Sequence, residues 1–293
     1  EYCSNHMNQN LNQILEQLNH FSPKLIERIN NLTESEWTTQ SRCEDWTVKE
    51  VIYHLTSALT MYFHVIDTAQ KAGDIRNNPN INYMEPGIVD GKSNAGPLSK
   101  RTKEASKNFK PNSKLASEFK SASGRLTRAF NSCEDRHWNL TAYHPVNWVS
   151  VGRMLLWTLF ESAIHSWDVL NAIDNEYIVD ENLAPLLPQY FCDPLLNRWF
   201  INPDLPDITS KNITVNFGES EGLLISSKKR GLTIEKCQLQ LTDSDAVINS
   251  TYSEFALLIT GRKDLNISID ESLTELDGVQ SDIDTFTRWF TGS

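Results

Sequence analysis

Residues 150–173 read SVGRMLLWTLFESAIHSWDVLNAI, and this stretch decides the fold. Its apolar residues occur on nearly every side of a helical wheel instead of forming one stripe. A helix of that kind must be surrounded by other elements, so the stretch predicts the central helix of a helical bundle. The apolar positions are Val151, Met154, Leu155, Leu156, Trp157, Leu159, Phe160, Ile164, Trp167 and Val169.

Two ionisable residues, Glu161 and His165, lie within this apolar helix. They are four residues apart, so their side chains project from one face on adjacent turns. An unpaired carboxylate buried there would cost several kcal/mol or would require a shifted pKa, so both groups need a partner. The pair predicts either a buried ion pair or two ligands of a shared metal ion.

The best third ligand is His54, which lies in a second amphipathic helix beside Val51, Leu55 and Ala58. Two imidazoles and one carboxylate form a familiar catalytic zinc set that leaves a coordination position open, and the same set can hold iron or nickel. His64 is ten residues after His54, roughly 15 Å along the same helix, and is too far away to share the ion. We expect His64, His137 and His144 to be structural or exposed, and Cys43 to be a small buried or loop residue.

Three other helices are predicted around the central one. Apolar spacing indicates one or two helices over 8–32, and a helix over about 113–132. Thr47 and Glu50 form a capping-box pattern, so the helix that contains His54 begins at about Thr47 and continues towards Gln70. Residues 71–110 have little periodicity and predict a long lid or binding loop.

The pattern changes after a proline-rich segment between Phe191 and Asn212. Short alternating runs at 213–217, 223–225, 232–234, 238–241 and 266–269 predict strands, and 251–260 and 281–290 predict helices. The first of these helices repeats the capping box at Thr251 and Glu254 and ends at Gly261. We therefore predict an α+β protein with a helical bundle over 8–195 and a smaller α/β domain over 208–293.

The composition excludes several classes of partner. The net charge is −11, whereas binding to nucleic acid or to an anionic membrane needs a clustered basic surface. No run of about 18 apolar residues exists, and the N-terminus lacks the pattern of a signal peptide, so we expect a cytoplasmic protein. The five cysteines are scattered and never form a C-x-x-C pair, which indicates reduced thiols. The sequence makes no prediction about the oligomeric state.

Three stretches resemble one known family. Residues 41–55, SRCEDWTVKEVIYHL, with Trp37 ahead of them, resemble the first signature of the mycothiol-dependent maleylpyruvate isomerase family, in the DinB-like metalloprotein superfamily. Residues 161–169, ESAIHSWDV, resemble the second signature, and residues 253–262, SEFALLITGR, resemble the family's sterol-carrier-like domain. The resemblance implies a DinB-like four-helix bundle followed by a sterol-carrier-like domain, with zinc bound by His54, Glu161 and His165.

The same resemblance implies a chemistry. The metal would carry a low-molecular-weight thiol, and a metal-bound thiol is deprotonated near neutral pH. Its addition to a cis double bond of a small anionic substrate, rotation and elimination would give the trans isomer, while displacement of a leaving group would be S-transferase chemistry. Arg262 matches the family's arginine that holds an anionic substrate or the thiol, and it could point across the domain interface towards the metal. Alternatively, Arg262 satisfies the last helix carbonyls.

The identity of the thiol stays open. The chain is rich in Asn, Lys, Ile and Ser and comparatively poor in Ala, Gly and Arg, unlike proteins of the high-GC organisms that usually use mycothiol. Ergothioneine, glutathione and bacillithiol are therefore further candidates, and we expect the residues that recognise the thiol within 71–110. Two other functions are also open: a metal-dependent hydrolase that needs no thiol, and a non-catalytic protein that binds a small apolar ligand and uses the metal structurally.

Overall fold

The computed structural model describes residues 2–43, 45–73, 75, 76, 78, 83–88, 90–205, 210–228 and 231–290, with only the main chain for 2–9 and 228. Contacts between Cα atoms divide the chain into two compact units. The first unit contains residues 1–88 and 96–177, and the second contains residues 89–95 and 178–293.

The first unit is built around four long helices. Helix α1 contacts α5 and α6, and α3 contacts the same two helices, so the four form a bundle. The helices of this part of the chain are α1 (Tyr2–Asn30), α2 (Glu34–Thr38), α3 (Val48–Ala72), α4 (Gly91–Ser106), α5 (Asn112–Asn131) and α6 (Val151–Leu170).

Helix α6 is the buried centre that its sequence predicted. Every α6 residue is buried except Arg153 and Leu156, which are intermediate. The Ser150 hydroxyl accepts a hydrogen bond from the Arg153 N–H and so caps the helix. At the start of α3, Glu50 accepts a 2.7 Å hydrogen bond from the Thr47 N–H, as the capping-box pattern predicted.

Helix α4 corrects the prediction of a loop over 71–110. Its buried positions include Ser99, Thr102 and Ser106, which follow one helical face but carry hydroxyl groups. The helix also contains Pro97. A helix whose inward face is polar has no hydrophobic period, so periodicity alone could not detect it.

A two-stranded hairpin, which the sequence reading did not predict, precedes α6. Its strands are β1 (Thr141–His144) and β2 (Asn147–Ser150), and Tyr143 pairs with Trp148. Strands of four residues are too short to show a clear alternation.

The second unit contains a five-stranded sheet in the order β5-β4-β3-β6-β7. Strands β3 and β6 are parallel, and the other neighbours are antiparallel. The elements are α7 (Pro188–Phe191), β3 (Lys211–Asn216), β4 (Glu221–Lys228), β5 (Gly231–Gln238), β6 (Ala246–Ser250), α8 (Tyr252–Ile259), α9 (Leu265–Asp270), β7 (Thr274–Asp277) and α10 (Gln280–Trp289). The α+β fold class predicted from the sequence is confirmed.

Two predicted strands of this unit are wrong. Residues 266–269 belong to α9, because the Asp264 carboxylate accepts hydrogen bonds from the Asn266 and Ile267 N–H groups and so starts a helix. Residues 239–241 form a 3₁₀ turn in place of a fourth strand. In both places a local hydrogen-bonding arrangement prevails over a short alternating pattern.

The division between the units also differs from the predicted domain boundary. Residues 178–195, which the sequence reading placed in the bundle domain, lie in the second unit. The Phe191 ring lies 6.0 Å from that of Phe255, and Ile201 forms an isolated bridge with Phe290. This ring contact and this backbone bridge join the segment after residue 177 to the sheet unit. Ile208, the predicted start of the second domain, lies outside the described residues.

Across the described parts of the chain, no helix combines the length and the apolar character that crossing a membrane requires.

Candidate metal centre

Two helices of the bundle bring the three predicted ligands together. His54 lies on α3, and Glu161 and His165 lie on successive turns of α6. His54 Nε2 lies 3.1 Å from Glu161 Oε2, and His165 Nε2 lies 3.4 Å from the same oxygen. One donor atom from each residue can be chosen so that all lie within 4.8 Å of one another. Among the described residues, this is the only His, Cys, Asp and Glu group found with metal-ligand spacing.

A buried carboxylate fixes the protonation of His165. Asp168 is fully buried, and its Oδ2 lies 2.8 Å from His165 Nδ1. An ionised carboxylate only accepts hydrogen bonds, so Nδ1 carries the proton. With that proton at Nδ1, Nε2 is the nitrogen that faces Glu161 and His54, as in the carboxylate–histidine arrangement of many metal sites.

Glu161 is held in its charged form. Burial alone would raise the pKa of its carboxyl group, but the charge and hydrogen bond of His54, together with His165, lower it to about 2. Glu161 Oε1, the oxygen that does not face the histidines, accepts a 3.3 Å hydrogen bond from the Tyr62 hydroxyl. The side chain thus presents one negatively charged oxygen to two imidazole nitrogens.

These donors fit a divalent cation. When His165 is neutral, the lone pair of its Nε2 faces the negatively charged Glu161 Oε2 at 3.4 Å. Two electron pairs at that separation repel unless a cation or a proton lies between them. Two imidazoles and one carboxylate are a set that binds zinc with one position open, and the buried surroundings strengthen each electrostatic contact.

An aromatic wall borders the site. The Trp46 ring lies 5.0 Å from the His54 ring and 6.2 Å from the His165 ring. The Trp46 indole N–H donates a 3.2 Å hydrogen bond to the Ser99 hydroxyl, and both side chains are buried. Helix α4, in the segment where we expected thiol recognition, is thereby attached to the wall of the site.

Of the other histidines whose side chains the structure describes, His144 is the one next to the site. It is buried and stacks on Trp157 at 3.7 Å, and burial lowers its pKa to about 3 although the Glu161 charge opposes this shift. Its Nδ1 accepts a hydrogen bond from the Val146 N–H. His144 therefore packs as a neutral ring, whereas His64 is exposed on α3.

Arg262 belongs to the second unit, and the three metal-ligand candidates belong to the first. Gly261 has a φ of +68°, and the Arg262 N–H donates to the Leu257 carbonyl, which closes α8 as its sequence predicted. The Arg262 guanidinium also donates to the Thr260 carbonyl at 3.2 Å. This contact is the helix-capping role that the sequence left open, and the catalytic role stays a prediction.

The sequence reading did not assign roles to three residues near the centre. Asp168 is three residues after His165, and Tyr62 is eight residues after His54, so helical spacing could have indicated both. Ser99 gave no signal, because its importance depends on an indole 53 residues away.

Comparison with known proteins gives a consistent result. The model of the mycothiol maleylpyruvate isomerase N-terminal domain matches residues 20–170. A crystal structure of a histidine-to-alanine variant of the mycothiol-dependent maleylpyruvate isomerase aligns over 92% of this chain and 92% of its own, with a TM-score of 0.56 and 12% identity. The structure without that substitution aligns over 88% and 90%, with a TM-score of 0.55 and 12% identity. No curated protein shows significant sequence similarity to the chain.

Proposed function

This chain belongs to the mycothiol maleylpyruvate isomerase family, a family of enzymes, and we propose that it is a metal-dependent isomerase that uses a low-molecular-weight thiol. The observation that carries the proposal is the convergence of His54, Glu161 and His165 in the part of the chain that the family model matches. The proposed substrate is a small anionic cis-unsaturated acid of the maleylpyruvate type, and the proposed thiol is mycothiol or a thiol that replaces it.

We propose that His54 Nε2, Glu161 Oε2 and His165 Nε2 hold one zinc ion or another divalent metal. Such a metal supplies a Lewis acid that keeps a bound thiol deprotonated near neutral pH. The net charge of this donor set is −1, because both imidazoles are neutral ligands and the carboxylate is ionised.

Two further residues of the first unit, Asp168 and Trp46, act on the histidine ligands. Asp168 holds the proton at His165 Nδ1, so Nε2 stays available as a ligand. Trp46 covers one side of the two imidazoles and keeps water away from that side. Both side chains act on the ligands and need not touch the substrate.

We propose that Arg262 binds the substrate carboxylate. The support is the resemblance of the segment around Gly261 to the family's C-terminal domain, and the suitability of a guanidinium for a bidentate contact with a carboxylate. Because a thiol cofactor must stay reduced, we also propose that the enzyme works in the cytoplasm.

The test is calorimetry on zinc-loaded protein with mycothiol, ergothioneine, glutathione and bacillithiol, repeated in buffers of different ionisation enthalpy. We expect one thiol to bind with proton release, since it must arrive as a thiolate. The metal-free protein should bind that thiol much more weakly. Equal binding to both forms would contradict a metal-bound thiol.

An activity assay then distinguishes a thiol-dependent isomerase from a metal-dependent hydrolase. Conversion of maleylpyruvate to its trans isomer should require both metal and thiol, and it should be lost in His165→Ala but kept in His64→Ala, the exposed control on α3. Turnover of substrate by water in the absence of any thiol would instead indicate a metal-dependent hydrolase.

A further inference from the structure

We infer that Tyr62 is a positioning residue of the metal centre, which holds Glu161 so that Oε2 alone faces the metal position. This inference rests on the proposed metal site. It adds a residue of α3 that acts through the carboxylate and not through contact with the metal.

The geometry gives Tyr62 a defined partner. Its hydroxyl lies 3.3 Å from Glu161 Oε1, while Oε2 of the same carboxylate lies 3.1 Å from His54 Nε2. The Tyr62 hydroxyl is the donor in this contact, and Glu161 Oε1 is the acceptor. The two oxygens of Glu161 thus have different partners.

Helical spacing explains how one helix reaches both sides of the carboxylate. His54 and Tyr62 are separated by eight residues, about 12 Å along the axis, and both lie on the face of α3 that meets α6. Glu161 projects between them from α6. Helix α3 therefore provides one metal-ligand candidate and also the hydrogen bond that orients another.

The hydrogen bond decides how the carboxylate can bind. A carboxylate can bind a metal through one oxygen or through both, and the choice changes the coordination number. A hydroxyl that occupies Oε1 favours binding through Oε2 alone, which leaves a coordination position for an incoming thiol. Tyr62 is almost fully buried, so no water competes readily for the same oxygen.

Core packing is the competing explanation, because a buried tyrosine also fills volume. The Tyr62 ring lies 6.0 Å from the His144 ring, and a phenylalanine would make the same ring contacts. Tyr62→Phe therefore removes the hydroxyl and preserves the packing. The matched control is Tyr53→Phe, on the same helix, where the ring contacts Phe109 at 5.5 Å.

The experiment measures the zinc affinity of wild-type protein, Tyr62→Phe and Tyr53→Phe by competition with a chelator. We expect Tyr62→Phe to bind zinc about 10- to 100-fold more weakly, the usual effect of removing a hydrogen bond to a metal ligand. We expect Tyr53→Phe to match the wild type. In cobalt-loaded Tyr62→Phe, the visible absorption should weaken as the freed Oε1 also binds and the coordination number rises. A mere packing role would change neither the affinity nor the spectrum.

Equal zinc affinity and equal cobalt spectra in wild type and Tyr62→Phe would overturn the inference and leave the proposed function intact. A wild-type protein that binds no metal would overturn the proposed function and the role of Tyr62 with it. A crystal structure of the zinc-loaded wild type tests the inference without any variant. Oε1 bonded to the Tyr62 hydroxyl supports it, and Oε1 bonded to zinc refutes it.

Discussion

Asp168 is fully buried on α6, and its Oδ2 lies 2.8 Å from His165 Nδ1. Removal of one member of a buried charged pair is strongly destabilising, so the contact contributes to the stability of the bundle. The pair also fixes which nitrogen of His165 is free. The contact between Asp168 and His165 therefore contributes to the stability of the bundle and also keeps His165 Nε2 available as a metal ligand.

We predict that Asp168→Asn weakens zinc binding about 10- to 100-fold, because the amide holds the Nδ1 proton less strongly and the imidazole becomes a poorer ligand. Chelator competition measures the effect. Asp67→Asn, which removes a surface carboxylate on α3 that pairs with Lys71, is the control. Unchanged zinc affinity in Asp168→Asn would show that the pair is structural only.

We predict that Arg262→Ala lowers kcat while the zinc content stays unchanged, if the guanidinium contacts the substrate mainly in the transition state. Arg262→Lys should not restore turnover, because lysine cannot make the bidentate contact. Steady-state kinetics and elemental analysis test both variants. A fully active Arg262→Ala would contradict the catalytic role and favour the helix-capping role shown by the hydrogen bond to the Thr260 carbonyl.

At the scale of secondary structure, the sequence could predict the elements whose burial shows as a pattern. The buried α6, whose apolar residues lie on nearly every side, and the capped start of α3 were predicted correctly. Helical spacing with the family resemblance identified His54, Glu161 and His165 as a candidate set. Helix α4 could not be read, because its inward face is made of Ser99, Thr102 and Ser106. The contact of Ser99 with Trp46 joins residues 53 positions apart, and no local pattern encodes it.

For α4, we predict that Ser99→Ala lowers the free energy of unfolding by about 1–2 kcal/mol, because the buried Trp46 N–H loses its acceptor. Chemical denaturation measures this change. Ser121→Ala, an exposed position on α5, should change stability by less than about 0.5 kcal/mol. A Ser99→Ala protein as stable as the control would mean that α4 is held without this contact.

The cap of α2 gives a prediction about pH. The hydrogen bonds of Glu36 with Arg28 and with the Thr33 N–H lower its pKa from 4.5 to about 2. A lowered pKa in the folded state stabilises the fold above pH 4.5, and this contribution is lost as the pH falls towards 2. We expect the free energy of unfolding of the wild type to be about 1 kcal/mol higher than that of Glu36→Gln at pH 6. At pH 3 the difference between the two free energies should be clearly smaller.

Denaturant titrations at the two pH values test this expectation for the cap. Glu118→Gln, an exposed position on α5, is the control. A difference between wild type and Glu36→Gln that stays constant from pH 6 to pH 3 would contradict the role of the carboxylate.

At the scale of the whole molecule, the chain passes between its two units more than once, because residues 89–95 belong with residues 178–293. The insertion interrupts the bundle unit between α3 and α5, and α4 continues from it. All three candidate metal ligands nevertheless lie in the first unit. The stability that a metal provides should therefore appear first in the unfolding of the bundle.

We predict that zinc at about 100 times its dissociation constant stabilises the bundle unit by about 2.7 kcal/mol, because the ion binds the folded site and not the unfolded chain. For a unit of this size, the Tm should rise by about 5–10 °C. Calorimetry with and without zinc measures the shift, and a chelator should reverse it.

Each variant is compared with its own metal-free form, since His165→Ala also removes a partner of Asp168 and starts from a lower Tm. His165→Ala should show little or no shift with zinc, and His64→Ala should shift like the wild type. A His165→Ala protein that zinc stabilises as much as the wild type would remove His165 from the ligand set.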